Sequence, residues 1–182
     1  MSPESYKSIV NVEPPPPLHR RIAAYRLLIL CLFAVLALDQ VSKAWIRSHL
    51  PYPTYGRPGA IEVIPGFFDI IHVGNTGAAW SMLTGHSGLL AALAALSLLA
   101  IFYWRKALSL KIPSVQISFG LMCGGIAGNL IDRVLFGHVV DFLDFHFGSF
   151  VYPTFNIADS GICVGVALYL WHSLWPEFTR KR

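Results

Sequence analysis

The stretch GHVVDFLDFHFGSFVYPTFNIADSGICVG, residues 137–165, sets two aspartates, Asp141 and Asp159, on either side of a short segment rich in aromatics, Gly and Pro. The second aspartate stands at the start of an apolar run that continues to Trp175. An ionised Asp at the centre of a membrane-spanning helix costs on the order of 2.5–3.5 kcal/mol, so a carboxylate at the mouth of such a run has a task or a partner. Two of them bracketing one segment point to a shared site, held at a membrane surface by the rest of the chain.

Composition supports that setting. Of 182 residues, 54% are hydrophobic and only 13% charged, with a mean hydropathy of +0.54. A soluble domain carries roughly 25% charged residues. The deficit is concentrated in four apolar runs, near residues 22–38, 88–104, 113–131 and 157–175. The expected fold is a membrane all-α protein with a small β element: four transmembrane helices and a small extracytoplasmic sheet. The sequence divides into a Pro-rich, disordered cytoplasmic tail over 1–21, with a polyproline II segment at Pro14–Pro17; a four-helix membrane domain over 22–175; and a basic cytoplasmic tail over 176–182. The first run follows His19-Arg20-Arg21 and so resembles a secretory signal peptide. A long tail precedes it, however, and three later spans need a first one to orient them, so it reads as an uncleaved span.

Charge placement gives the orientation. Lys7, Arg20, Arg21, Arg26, Arg105, Lys106, Lys111, Arg180, Lys181 and Arg182 flank one end of the runs, whereas Lys43, Arg47, Arg57 and Arg133 flank the other. Basic residues accumulate on the cytoplasmic side, which places both termini in the cytoplasm. Without the apolar runs no basic, aromatic stripe remains, so nucleic acid is excluded as a partner. Cys31, Cys123 and Cys163 all lie in apolar runs and read as buried, inert thiols; no CxxC occurs.

The outer connection, residues 51–77, contains Pro51, Pro53, Gly56, Pro58, Gly59, Pro65 and Gly66, which no helix can cross. Between these breakers, 60–64 and 67–73 are β-branched and aromatic and read as strands. In the third run Gly120, Gly124 and Gly128 repeat every fourth residue, a stripe that admits a second backbone closely. Asn129, Asp132 and Arg133 follow on one face at its outer tip. Asn156 is a good N-cap for the last run and puts Asp159 in its first turn. Asp39 and Lys43, four apart, share a helix face near Trp45, as an interfacial ion pair beside an aromatic anchor would.

Polar residues thus gather at one membrane depth: Asp39, Lys43, Asn75, Asn129, Asp132, Arg133, Asp141, Asn156 and Asp159. Two close carboxylates cannot both ionise cheaply and tend to share a proton, so one serves as base and the other as acid. Asp159 near a helix N-terminus favours the charged form, and Asp141, on a less regular segment, more readily holds the proton. A helix-capping Asp beside an unrelated interfacial Asp would satisfy the same spacing. Asp144, three residues after Asp141, is an equal candidate on chemistry alone. His138, Asp141 and His146 are zinc-ligand types without a recognisable spacing, and His72 is a lone strand histidine. Ser160 beside Asp159 lacks a placed base.

Gly124-Gly125-x-x-Gly128-Asn129-Leu130-Ile131-Asp132-Arg133, Gly137-x-Val139-Val140-Asp141-Phe142 and Phe155-Asn156-Ile157-Ala158-Asp159, preceded by Asp39-Gln40-x-x-Lys43 and Asn75-x-Gly77-Ala78-Ala79, resemble the motifs of lipoprotein signal peptidase, the type II signal peptidase of bacteria. The likeness covers residues 22–175; Trp80 stands where Phe would be common. The resemblance implies an aspartic endopeptidase of the bacterial inner (plasma) membrane, with four helices, an extracytoplasmic β-cradle at 51–77, and its site at the outer face. Its substrate would be a diacylglyceryl-prolipoprotein, cut just before the lipidated cysteine. The implied catalytic residues are Asp141, in preference to Asp144, and Asp159. Asp39, Lys43, Asn75, Gly77, Asn129, Arg133, Asn156 and Ala158 would position substrate or support the pair. The resemblance further implies contact with membrane lipids, inhibition by globomycin-type peptides, a monomer, and no metal or cofactor. Two other classes compete: a small proton-coupled transporter, which would place charges near mid-bilayer, and a membrane scaffold whose aspartates only cap and pair. Leu28-Ile29-Leu30-Cys31 lacks the small residue expected before a lipidated cysteine, so the chain is not itself expected to be a lipoprotein.

Overall fold

The structure, a computed structural model, describes residues 17, 22–54, 58–78, 80 and 82–180, with side-chain detail as far as residue 174. The expected disordered tail, most of its polyproline segment, Ala79, Arg57 and the terminal Lys181 and Arg182 lie outside the described residues. Among the described residues four helices are named: α1 (Arg26–His49), α2 (Ser87–Tyr103), α3 (Pro113–Phe136) and α4 (Ile157–Arg180). Three of these, α1, α3 and α4, are long and apolar enough to cross a membrane. The fourth, α2, is apolar and has 17 residues, about 25 Å at 1.5 Å per residue, which is near the lower limit for a span.

Helix α3 is the centre of the bundle, packed between α1 and α4, and α2 packs mainly against it. Its small residues set how close the neighbours come. A Cβ on Gly124 would lie 2.6 Å from the Leu32 carbonyl of α1, and one on Gly125 would collide with the Ala158 carbonyl of α4. Pro113 opens α3 in its first turn, where its missing N–H costs nothing. Gly137 closes it in the left-handed conformation, φ 73°, its N–H donating to the Arg133 carbonyl at 3.1 Å. That turn sends the chain directly into a strand.

The sheet sits at this end of the bundle: four antiparallel strands in the order β1 (Ile61–Ile64), β2 (Phe68–Asn75), β3 (Val139–Phe147), β4 (Phe150–Val151). The first two strands fall where the sequence predicts them. The other two do not. Asp141 lies on a nine-residue strand, paired with Val73 of β2 beside a shift in register between Ile70 and Val73. The segment 145–155 is a hairpin: Tyr152 N–H donates to the Phe145 carbonyl at 2.9 Å, and Phe155 bridges Leu143. Polar residues fall on both faces of 139–147, so the strand shows no period-two pattern. Both faces are covered, which explains it. Val140 and Phe142 pack on Ile46 and Leu50 at the end of α1, while Val139 and Asp141 are buried on the other side. Of the three cysteines expected to be buried, only Cys123 is; Cys31 is half-buried and Cys163 exposed.

Candidate active site

Asn156 organises the carboxylate pair. As N-cap of α4 it accepts the Asp159 N–H through Oδ1 at 3.0 Å, while Asp159 Oδ2 accepts the Asn156 N–H at 3.2 Å. This reciprocal arrangement is a capping box, and it fixes the Asp159 rotamer. The other end of the Asn156 amide donates to Asp141 Oδ1 at 2.6 Å and to Asn129 Oδ1 at 3.2 Å. Asn129 Nδ2 in turn donates to Asp159 Oδ1 at 2.8 Å. Asn75, on the last position of β2, donates to Asp141 Oδ2 at 2.9 Å and accepts the Gly77 N–H at 2.9 Å. Four elements therefore converge on two carboxylates.

The pair faces a cavity of about 390 Å³, with Asn75, Gly77, Asn129 and Arg133 on its wall and Tyr152–Phe155 of the hairpin on its outer side. Arg133 Nη2 donates to the Gly77 carbonyl at 2.9 Å, and its Nε is buried with no hydrogen-bond partner. Trp80, with φ 58°, and Tyr152 meet edge to face, ring centroids 6.4 Å apart. Asp141 is almost wholly buried. Burial foremost, then the charge of Asp159, pushes its carboxyl up to about 7, against the hydrogen bonds from Asn75 and Asn156 and the charge of Lys43. A carboxyl poised near neutrality in a cavity is suited to acid–base work.

Behind the pair, Lys43 is fully buried. Its ammonium lies 2.8 Å from Asp39 Oδ2, 3.0 Å from Asp132 Oδ2 and 2.9 Å from Asn129 Oδ1, which satisfies all three donors. The Asp39–Lys43 ion pair expected at the interface is thus a core element, and only Trp45 is exposed. Ala158 presents its N–H to Asp39 Oδ1 at 2.9 Å. Sequence reasoning grouped Asp132 with the outer polar residues without giving it a role. The i, i+3 spacing to Asn129 was the available signal, but the partner, Lys43, lies on another helix.

The competing constellations separate. Asp144 is off the cavity: Thr154 Oγ1 donates to its Oδ1 at 3.0 Å, and His146 Nε2 lies 2.9 Å from its Oδ2. His138 stacks on Tyr52, and among the described residues His138, Asp141 and His146 do not form a group whose ligand atoms lie within reach of one another. Among the described residues, the group that could hold a metal is Asp69, Asp144 and His146, with ligand atoms within 4.8 Å of one another, and both Asp144 oxygens there are already engaged. His72 is buried, with Nδ1 3.1 Å from the Leu50 carbonyl. Ser160 Oγ donates to the Asn156 carbonyl at 3.0 Å, so its hydroxyl belongs to the first turn of α4.

Apolar helices, a sheet at one end and a cavity holding two carboxylates define a membrane enzyme. Among solved structures, one described as a bacterial membrane enzyme superposes with a TM-score of 0.74 at 34% identity, covering 85% of this chain and 91% of that one. A second of the same description gives 0.70 at 35% identity, covering 81% and 92%. The lipoprotein signal peptidase of Symbiobacterium thermophilum is 38% identical over 150 residues, 82% of this chain and 95% of the relative. That of Oleidesulfovibrio alaskensis is 44% identical over 136 residues, 72% and 83% respectively. The family model described as signal peptidase (SPase) II matches residues 31–175. The chain belongs to the signal peptidase II family, and it is accordingly a membrane peptidase.

Proposed function

We propose that the chain removes signal peptides from prolipoproteins that carry diacylglycerol on cysteine, cutting just before that cysteine, with Asp141 and Asp159 as the catalytic pair. One observation carries the proposal: the two aspartates share one cavity wall and one amide, Asn156, and the more buried of them is raised to about 7. At neutral pH the pair holds one proton between its carboxyls. The ionised carboxylate takes a proton from water as its oxygen attacks the scissile carbonyl. The protonated carboxyl gives its proton to the departing amide nitrogen as the C–N bond breaks. The products are the signal peptide's new carboxylate and the free amino group of the lipidated cysteine. Asn75, Asn129 and Asn156 hold the pair, and Arg133 and Gly77 line the path of the substrate backbone.

The placement of charge supports both termini in the cytoplasm and the sheet end of the bundle outside. Exposed apolar side chains on every helix support contact with membrane lipids. The chain acts as a monomer, is inhibited by globomycin-type peptides that occupy the cavity, and needs no metal. The domain limits at 22 and 175 belong to the same proposal. The transporter is disfavoured because the paired carboxylates sit at a helix start and on a strand rather than inside broken helices.

The test is cleavage of a diacylglyceryl-modified prolipoprotein by purified protein, compared with Asp141→Asn and Asp159→Asn. Both variants, folded, should be inactive; full activity in either defeats the assignment. Unchanged turnover with a strong chelator is expected, and its loss would reopen a metal mechanism.

A further inference from the structure

The buried ions behind the cavity make a connection that their pairing alone does not require. Lys43 bridges Asp39 on α1 and Asp132 on α3. The free oxygen of Asp39, Oδ1, accepts the N–H of Ala158, the residue immediately before Asp159. Asp132 Oδ2 accepts the N–H of Val140, the residue immediately before Asp141, at 3.1 Å. The two carboxylates of one ion triad therefore each hold the backbone N–H of the residue just before one of the paired aspartates. Gln40 closes the set, with Nε2 3.1 Å from Asp39 Oδ2, 3.3 Å from Asp132 Oδ1 and 3.2 Å from the Gly128 carbonyl.

We infer that Asp132, acting with Lys43 and Asp39, is a positioning residue: the triad is a yoke that sets the separation of Asp141 and Asp159. The inference rests on the proposed catalytic pair. Asp141 enters from a strand and Asp159 from a helix, and no single element carries both. Their spacing must therefore be fixed by something that grips both backbones. The capping box orients the Asp159 side chain, and Phe155 and Asn156 tie the strand to the cap, Asn156 Nδ2 donating to the Val140 carbonyl at 3.3 Å, but these bonds stop ahead of the helix itself. The triad grips both backbones, and all three of its side chains are fully buried, where an ion pair is screened least. Lys43 also donates to Asn129 Oδ1, which turns the Asn129 amide group toward Asp159. The yoke thus reaches the side chains as well as the backbones.

The test uses the full chain in detergent or bilayer with a diacylglyceryl-modified prolipoprotein peptide. Asp132→Asn keeps the shape but removes the charge that holds Lys43. A misplacement of about 1 Å can cost about a hundredfold, so a loss of that order is expected in kcat, with KM changed by less than about threefold. Asp132→Glu, which keeps a carboxylate, should recover part of the loss. A folded Asp132→Asn enzyme with wild-type kcat, or one altered in KM alone, overturns the inference. If the variants do not fold, hydrogen exchange on the wild-type enzyme decides. The Val140 and Ala158 amides should be among its slowest to exchange, and rapid exchange at either site removes the yoke. The two proposals fail differently. Active Asp141→Asn or Asp159→Asn protein defeats the catalytic pair, whereas inactive pair variants beside a fully active Asp132→Asn enzyme defeat only the yoke.

Discussion

Asn156 Nδ2 donates to Asp141 Oδ1 across 2.6 Å, joining the cap of α4 to the middle of the sheet. The same side chain accepts the Asp159 N–H, so one residue does two separable jobs. Asn156→Ala removes a helix cap, worth about 1 kcal/mol. It also removes the donor that keeps the Asp141 carboxyl facing Asp159. We expect a modest drop in melting temperature and a fall in kcat of about a hundredfold, the scale of a slightly misplaced catalytic group. Asn156→Ser, which can cap but cannot reach Asp141, should restore the melting temperature and not the turnover. Thermal melts and prolipoprotein cleavage on the two variants would separate the jobs.

The pH dependence follows from the position of Asp141. Its carboxyl is raised to about 7 because it is buried and faces Asp159. A mechanism that needs one proton on the pair loses that proton as pH rises through this value. The rate should therefore fall on the alkaline side with a midpoint near 7, and Asn75→Ala should move this limb upward. Asn75 hydrogen-bonds the ionised Asp141 and holds its carboxyl down, so removing that donor raises the carboxyl further. A profile of kcat against pH for both proteins checks the direction, and a downward move in the variant would contradict it.

Lys43→Met tests the buried ions from the stability side. The substitution keeps the length of the side chain and deletes the charge that serves Asp39, Asp132 and Asn129. Breaking a buried pair by removing one partner costs about 3–5 kcal/mol, because the remaining charges stay buried. A large fall in melting temperature is expected. The double change Lys43→Met with Asp132→Asn should be less destabilised than the single one, since it buries one uncompensated charge fewer. Melting both variants beside the wild type gives the comparison.

Much of this was legible in the chain, and what was hidden has a physical cause. Apolar runs reveal spans because the bilayer demands them. Pro113 and Asn156 mark helix starts because the unmet donors of a first helical turn favour such residues. The pairing of Asp39 with Lys43 follows from a helix repeat. The strand carrying Asp141 was hidden because it is buried on both faces and carries Asp141 on one side and Asp144 and His146 on the other. The partnership of Asp132 with Lys43 was hidden because it joins residues 89 positions apart on different helices. Local spacing carries no record of that contact. The choice of Asp141 over Asp144 came from the motif resemblance. Asp141 lines the cavity wall, whereas Asp144 is engaged by Thr154 and His146.

The close approach of α3 and α4 allows a test that touches no polar group. A Cβ on Gly125 would collide with the Ala158 carbonyl and lie 2.8 Å from Ile162. Overpacking of this kind typically costs about 1–3 kcal/mol, relieved by moving the two backbones apart. The displaced residue, Ala158, immediately precedes Asp159. Gly125→Ala should therefore lower kcat well beyond what its loss of stability explains. Gly88→Ala, on α2, places its Cβ in open space and should change neither. Parallel melts and turnover measurements on the two variants decide, and equal activity would show that the helix spacing does not govern the aspartates.

A stability measurement reports on Asp141 independently of catalysis. Its folded-state carboxyl is raised from 3.8 to about 7, so between those values the folded protein binds a proton that the unfolded chain releases. Stability must therefore fall as pH rises across that window, and the cost is fully present above about 7. A displacement of this size sets the penalty at about 4 kcal/mol as an upper order of magnitude. Asp141→Asn removes the titration while keeping an acceptor for the Asn75 and Asn156 amides. Relative to the wild type, the variant should melt higher at pH 8, and its advantage should shrink toward pH 4. A catalytic carboxyl held at a cost to the fold behaves in this way, whereas an Asp placed only to cap or pair would give the opposite order, with the variant less stable at pH 8.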